Sequence, residues 1–472
     1  MDEEIVDYAL EYAQSKKIDY AEVRANSQVQ DRIILRNDIL EAYVSAVDSG
    51  FCVRIMADGG IGFASTNRWS KEETKATVDL AFRYAKAANR KDKLIFAEEK
   101  GIKTKWVVEQ KKKIENIAPE EKISAFAEVH KTLASCGINV PAVMSQVFID
   151  LITKYFINSE GSRISSFVPK IGAYVYVTVA EQGKTEQGYE QFGYSGGWEA
   201  LDIWKIQERM MHNAKVLRDV ITKAKPVKPG EMDLVCGPEV TGIAAHESCG
   251  HPMEADRILG REMSQAGRSF IYKGGNYWVG TRIGSEAVTV VDDPTIEHSY
   301  GYYAYDDEGV KARPRFLYKD GIINEFLQNR ESAAKLGTRS NGSSRSVNYD
   351  REAIVRMANT FVAPGKFTDE ELIEDVKQGV FMKSFTEWNI DDKRFNQRYV
   401  GKEAYLIKDG ELQHPVARPV IETTTLKFWS AVDAVSKDVE FDAATCGKGD
   451  PAQGVPVYTG GPRIRLRKVF VK

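Results

Sequence analysis

Cysteine is scarce. Cys52, Cys136, Cys236, Cys249 and Cys446 are the only five in 472 residues, and their spacing is irregular. Such usage fits reduced thiols or a metal ligand better than a disulfide framework. A strong charge of either sign is also missing, since 65 Lys and Arg face 68 Asp and Glu for a formal net charge of -3. No basic field is available to hold nucleic acid, and no polybasic segment to anchor the chain on a membrane. No stretch approaches the roughly 18 unbroken apolar residues of a membrane-spanning helix. The opening MDEEIVDYALEYAQSKK is acidic and lacks the charged-then-apolar order of a secretory signal. A cytoplasmic protein is expected, without nucleic-acid or membrane partners. Repeats of fixed period and low-complexity tracts are absent too.

What is present reads as an ordinary folded chain, with 43% hydrophobic and 28% charged residues. Its length suggests about two or three domains. Residues 2–16 carry Ile5, Val6, Ala9, Leu10 and Ala13 on one helical face. Four short strand-like stretches follow at 21–27, 31–37, 40–47 and 50–56, as in an antiparallel meander. Helical spacing returns over 71–89 and 119–135, strands are expected at 142–158 and 170–180, and a helix at 199–224. The segment AKPVKPGEM (224–232) combines two prolines with a glycine and predicts the main boundary, dividing the chain into 1–228 and 229–472. Beyond it, KDG at 319–321 and 408–410 marks two hairpin turns. The expected class is α+β: an N-terminal antiparallel sheet with helices, then a β-rich, barrel-like domain.

Two of the six histidines fall in TGIAAHESCGHPMEADR (241–257), His246 and His251, with Glu247 directly after the first. Neutral imidazoles suit zinc, and an adjacent carboxylate can take a proton from water activated by the ion. The pattern HExxxH is one residue longer than the HExxH of helical zinc peptidases. At about 100° per residue, positions i and i+5 lie about 140° apart on a regular helix. Both imidazoles reach one ion only if the helix bulges or ends, and Gly250 before Pro252 is the expected place. A catalytic zinc usually has three protein ligands. Cys249, and Cys446 in the Gly-rich stretch FDAATCGKGDPAQG, which reads as a loop, are both candidates for the third. Spacing does not choose between them. Ordinary hydrogen bonding by both histidines is the competing reading.

Glu254 and Asp256 follow closely; they read as solvated helix-end charges ahead of a role in orienting an imidazole. Asp292 and Asp293, and Asp306 to Glu308, beside Pro294 and Gly309, read as turn residues rather than a second ion site. Tyr300, Tyr302, Tyr303 and Tyr305 read as sheet packing, and His130 as a structural helix residue.

Several blocks together resemble the TldD/PmbA family. They are HESCGHPMEADR (246–257), DDPTIEHSYGYYAYDDEGV (292–310), KDGIINEFLQNR (319–330), VRMANTFVAPG (355–365) and TCGKGDPAQGVPV (445–457). GFCVRIMADGGIGFAST (50–66) resembles the family's first domain, so the likeness covers nearly the whole chain. Because HExxxH is intact, the chain is similar to the metal-bearing TldD type and not to the metal-less TldE/PmbA type. The resemblance implies a zinc peptidase in which His246, His251 and Cys446 bind Zn²⁺ and Glu247 is the general base. It further implies cleavage of unfolded or flexible peptides, bound as an added strand inside a dimer cavity. The partner is then a second copy or a TldE/PmbA-like subunit. The alternative is a non-catalytic, peptide-binding scaffold subunit of such a complex.

Overall fold

The computed structural model describes residues 1–88, 92–262 and 267–472. The first helix, α1 (Glu3–Gln14), starts where the Asp2 carboxylate accepts from the Ile5 N–H, and it buries the five apolar residues of the expected face. β1 (Tyr20–Arg36) and β2 (Ile39–Ala57) then form one long hairpin in place of four short strands. The polar interruptions face each other, Ser27 opposite Ser49 and Gln28 opposite Asp48, and β1 is paired along both edges. Continuous ladder bonds therefore carry the backbone through residues that would stop a lone strand. Asn37 and Asp38 turn the hairpin with φ of 46° and 67°, the left-handed pair that a two-residue turn requires.

β3 (Gly60–Thr66), α2 (Lys71–Ala87), β4 (Lys103–Val107), α3 (Pro119–Ala134), β5 (Ala142–Asn158), β6 (Arg163–Glu181) and β7 (Lys184–Ser195) follow. The last residue of the helix expected over 71–89 lies outside the described residues. The seven-stranded sheet runs β3-β2-β1-β5-β6; β4 adds in parallel to the start of β6 and β7 antiparallel to the rest. His130 on α3 is structural, with its ring nitrogens bonded to Ser145 Oγ and the Asp38 N–H. The helix expected over 199–224 is two, α4 (Ala200–Trp204) and α5 (Ile206–Thr222), because Lys205 adopts φ 49° between them.

From β8 (Gly230–Cys236) onward the chain builds a nine-stranded and a six-stranded sheet, the half-barrel form of the β-rich region expected. Both KDG sites are hairpin turns, with Asp320 and Gly321, and Asp409 and Gly410, all at positive φ. Asp306 caps a turn by accepting from the N–H groups of Glu308 and Val310. Asp292, expected in a turn, lies in the strand Val290–Asp292 and pairs with Arg315, both fully buried. The tyrosines at 300–305 lie outside any strand, and Tyr302 packs on Trp106 of β4. No helix among the described residues is long and apolar enough to cross a membrane.

Candidate metal centre

A short helix, α6 (Pro238–Ala245), follows β8 and is buried from Val240 to its end. Gly242 lets it lie directly on the strand Gln453–Gly461, since a Cβ there would stand 2.5 Å from the Gly460 nitrogen. At His246 the helix widens. Residues His246–Gly250 form a π-turn in which the His251 N–H donates to the His246 carbonyl, and a 3₁₀ turn begins at His251. This i to i+5 bond resolves the angular mismatch of the motif, because the wider turn brings the fifth residue round above the first. The two imidazoles meet edge to face, with centroids 4.9 Å apart. Gly250 serves the widening by its lack of a side chain and not by unusual torsion. Its φ is -62°, and a Cβ would lie 2.0 Å from Met357 Sδ.

Cys446 arrives from the strand Glu440–Lys448, opposite Val455 of the neighbouring strand, where a loop had been expected. Its Sγ lies 3.6 Å from His251 Nε2, and ligand atoms of His246, His251 and Cys446 all lie within 4.8 Å of one another. Zinc ligands at tetrahedral angles and ordinary bond lengths stand about 3.3–3.6 Å apart, so the Cys446–His251 pair already suits that ion and the wider separations would close by at most roughly 1.5 Å on binding it. His246 Nδ1 is buried with no hydrogen-bond partner among the described atoms, so the ring is not tied up in a structural hydrogen bond there. Burial would raise the Cys446 thiol pKa, but His251, His246 and Arg356 hold it well below the ordinary range. Burial would lower that of His246; the Cys446 thiolate raises it instead. Cys249 is the contrary case. It is fully buried, lies outside the cluster, and burial pushes its thiol well above the usual value.

Glu254 and Asp256 are not solvated. Glu254 Oε2 lies 2.9 Å from His251 Nδ1, and its carboxylate also meets Arg257 and, at 3.4 Å, Lys448. Burial opposes the charge, yet Lys448, Arg257 and His251 hold the Glu254 carboxyl well below its usual pKa. Asp256 binds Lys448 Nζ at 2.7 and 2.8 Å. The hairpin that delivers Cys446 therefore also delivers Lys448, which locks the turn after His251. Glu247 is salt-bridged to Arg394, a residue at φ 63° in a hairpin turn. Nothing in the linear sequence pointed to Arg394 or Lys448, which lie 147 and 192 residues from the carboxylates they bind.

The three clustered residues and Glu247 line a cavity of 660 Å³ and are each at most 4% exposed. One wall is the strand Glu440–Lys448, the terminal strand of the six-stranded sheet. The facing wall carries Tyr174, Tyr176 and Tyr189. Alternation puts Tyr174 and Tyr176 on one face of β6, and Tyr189 of β7 sits opposite Tyr176. That spacing was readable in KIGAYVYVTVA, but its partner across the cavity was not.

Sequence comparisons agree with this architecture. Residues 229–472 match the PmbA/TldA metallopeptidase C-terminal domain, 21–85 match domain 1 and 112–225 the central domain. A metalloprotease of Methanocaldococcus jannaschii is 32% identical over 95% of this chain and 96% of its own. A protein of Saccharolobus solfataricus named a zinc metalloprotease TldD homolog is 26% identical over 96% of each chain. The crystal structure of TldE from Thermococcus kodakarensis has the same fold, with a TM-score of 0.78, 17% identity and 99% of each chain covered. With three consecutive domains matched and a relative alike over nearly its whole length, the chain belongs to the PmbA/TldD family of metallopeptidases.

Proposed function

We propose that this protein is a zinc-dependent peptidase whose ligands are His246, His251 and Cys446 and whose general base is Glu247. The observation that carries the reading is the convergence of two imidazoles and a low-pKa thiol in the cavity that Glu247 lines. Zinc supplies Lewis-acid chemistry there, polarising a carbonyl and making water easier to deprotonate. Glu247 takes the proton of the attacking water and passes it to the leaving amine. Glu254 fixes the His251 ring, and Lys448 and Arg257 hold Glu254 in turn. Arg394 sets the rotamer of Glu247.

The substrate is an extended, unfolded peptide. The terminal strand beside the ligands offers backbone groups for a peptide to pair with, and strand addition requires a flexible chain. The protein acts in the cytoplasm as a dimer, with a second copy or with a metal-less TldE/PmbA-like subunit, and the peptide is enclosed between subunits. Residues 1–228 form the cavity wall and 229–472 the catalytic unit.

Two measurements test this. The purified protein should contain about one zinc per chain, and Glu247→Gln should keep the zinc while losing hydrolysis of an unfolded peptide. A chain without zinc would favour the scaffold alternative. Undiminished turnover by the Gln variant would sink Glu247 as the base. Assay of the chain alone and mixed with a metal-less relative decides the partner.

A further inference from the structure

A second cavity, of 580 Å³, lies between the seven-stranded sheet and the C-terminal sheets. It shares Tyr174, Gln191 and Thr445 with the metal cavity, and the Thr445 hydroxyl is bonded by Tyr174 Oη at 3.3 Å and Gln191 Nε2 at 3.1 Å. Thr445 precedes Cys446, so the two spaces meet one residue from a metal ligand. The size is that of a small-ligand pocket, roughly 300–1,000 Å³.

Its lining is cationic. Six Lys and Arg side chains face four aspartates, and the aspartates are spoken for. Asp150 pairs with Arg32, Asp307 with Lys154 and Asp350 with Arg351, and Asp306 accepts from backbone N–H groups. Among the described residues, two buried cations have no carboxylate in contact and a third has only a distant one. Among the described residues, Lys170 Nζ donates to two neutral oxygens, Ser195 Oγ at 2.7 Å and the Tyr300 carbonyl at 2.6 Å. The Arg345 guanidinium bonds the carbonyls of Met357 and Pro456. Arg24, 3% exposed, leaves Nη1 without a hydrogen bond, 3.7 Å from the already engaged Asp307. Buried charges satisfied only by neutral acceptors are costly, and an anion entering the cavity would relieve that cost. Burial, aided by Arg345 and Lys154 and opposed by Asp150, lowers the Lys170 pKa well below its ordinary value, and an anion arriving beside it would favour its charged form. Phe148 and Tyr300 line the same space and give an apolar bed around the charges.

We propose that this second cavity is an anion pocket receiving a carboxylate of the peptide held at the metal centre, from its free C-terminus or an acidic side chain. The assignment rests on the peptidase reading above for the identity of the ligand, and on the cavity itself for the charge. Binding to the Glu247→Gln protein is measured by calorimetry for one flexible octapeptide in three forms: free acid, C-terminal amide, and amide carrying one internal Glu. The free acid or the Glu-bearing amide should bind about tenfold more tightly or better than the plain amide, as for a hydrogen-bonded charge. Which of the two gains identifies the source of the carboxylate. The preference should survive removal of zinc by a chelator and should shrink in Lys170→Met. Equal affinity of all three peptides, or a preference that vanishes with the metal, would overturn the proposal whatever the Lys170 variant does. A folded Lys170→Met that keeps the full preference would do the same. Cleavage by the wild-type protein is scored separately. Preference without cleavage leaves the anion pocket and removes the peptidase; cleavage without preference does the reverse.

Discussion

Glu254→Gln distinguishes a residue that positions a metal ligand from one that only balances charge. The wild-type carboxylate is fully buried against His251, Arg257 and Lys448. Glutamine preserves the shape and one acceptor but removes the negative charge that the two cations face. Breaking a buried ion pair from one side costs about 3–5 kcal/mol. Asp256 remains bonded to Lys448 Nζ, so that cation keeps a partner, and the lower end, about 3 kcal/mol, is expected. The His251 imidazole also loses the anionic acceptor that makes it a stronger donor, which lowers metal affinity by about 10–100-fold. Competition with a chromogenic chelator reads the affinity, and unfolding of the zinc-free protein reads the stability. A stability loss with zinc affinity kept within about twofold would show Glu254 to be a counter-ion only and refute its positioning role.

Cys446→Ala should abolish stoichiometric zinc, whereas Cys249→Ala should retain it and cost only the packing of a small buried side chain; equal metal contents would refute the ligand choice. Gly250→Ala should destabilise the protein by about 1–3 kcal/mol through its clash with Met357, and Met357→Ala should recover part of that as coupling in a double-mutant cycle. No coupling would mean that the glycine is needed for another reason. Burial would raise the Glu403 pKa from about 4.5, but His212 and Lys383 hold it down to about 2. Its stabilisation is therefore complete above the unfolded value and lost as the pH falls through 4.5 toward 2. Acid unfolding of Glu403→Gln should show a shallower slope in that window, and an unchanged slope would exclude the contribution.

The elements most legible in the sequence were those fixed by local chemistry. The α1 face and both KDG turns depend on residues within a few positions of one another, and periodicity or turn preference reports them. The long hairpin of β1 and β2 was misread as four strands because its polar middle is stabilised by partners on both sides, which only the paired sheet supplies. At the site, His246, Glu247 and His251 were visible as a motif, and their spacing demanded a local departure from the α-helix. Cys446 could be reached by resemblance but not by spacing, because a sheet brings it to the histidines. The burial of Glu254 and Asp256 was invisible for the same reason: their partner Lys448 arrives on the same distant strand. Charges near a helix end look solvated until the element that covers them is known.

The position of Cys446 also has a meaning in time. On the proposed ligand set, the last zinc ligand is encoded 195 residues after the second. At translation rates of about 5–20 residues per second, the two histidines wait about 10–40 s for the cysteine. A growing chain is itself an unfolded peptide, the kind of substrate this site would cut. On that ligand set the growing chain would lack a complete metal site until Cys446 has been made. Nascent chains stalled before Cys446 should accordingly retain no zinc, and retention would remove this safeguard from consideration.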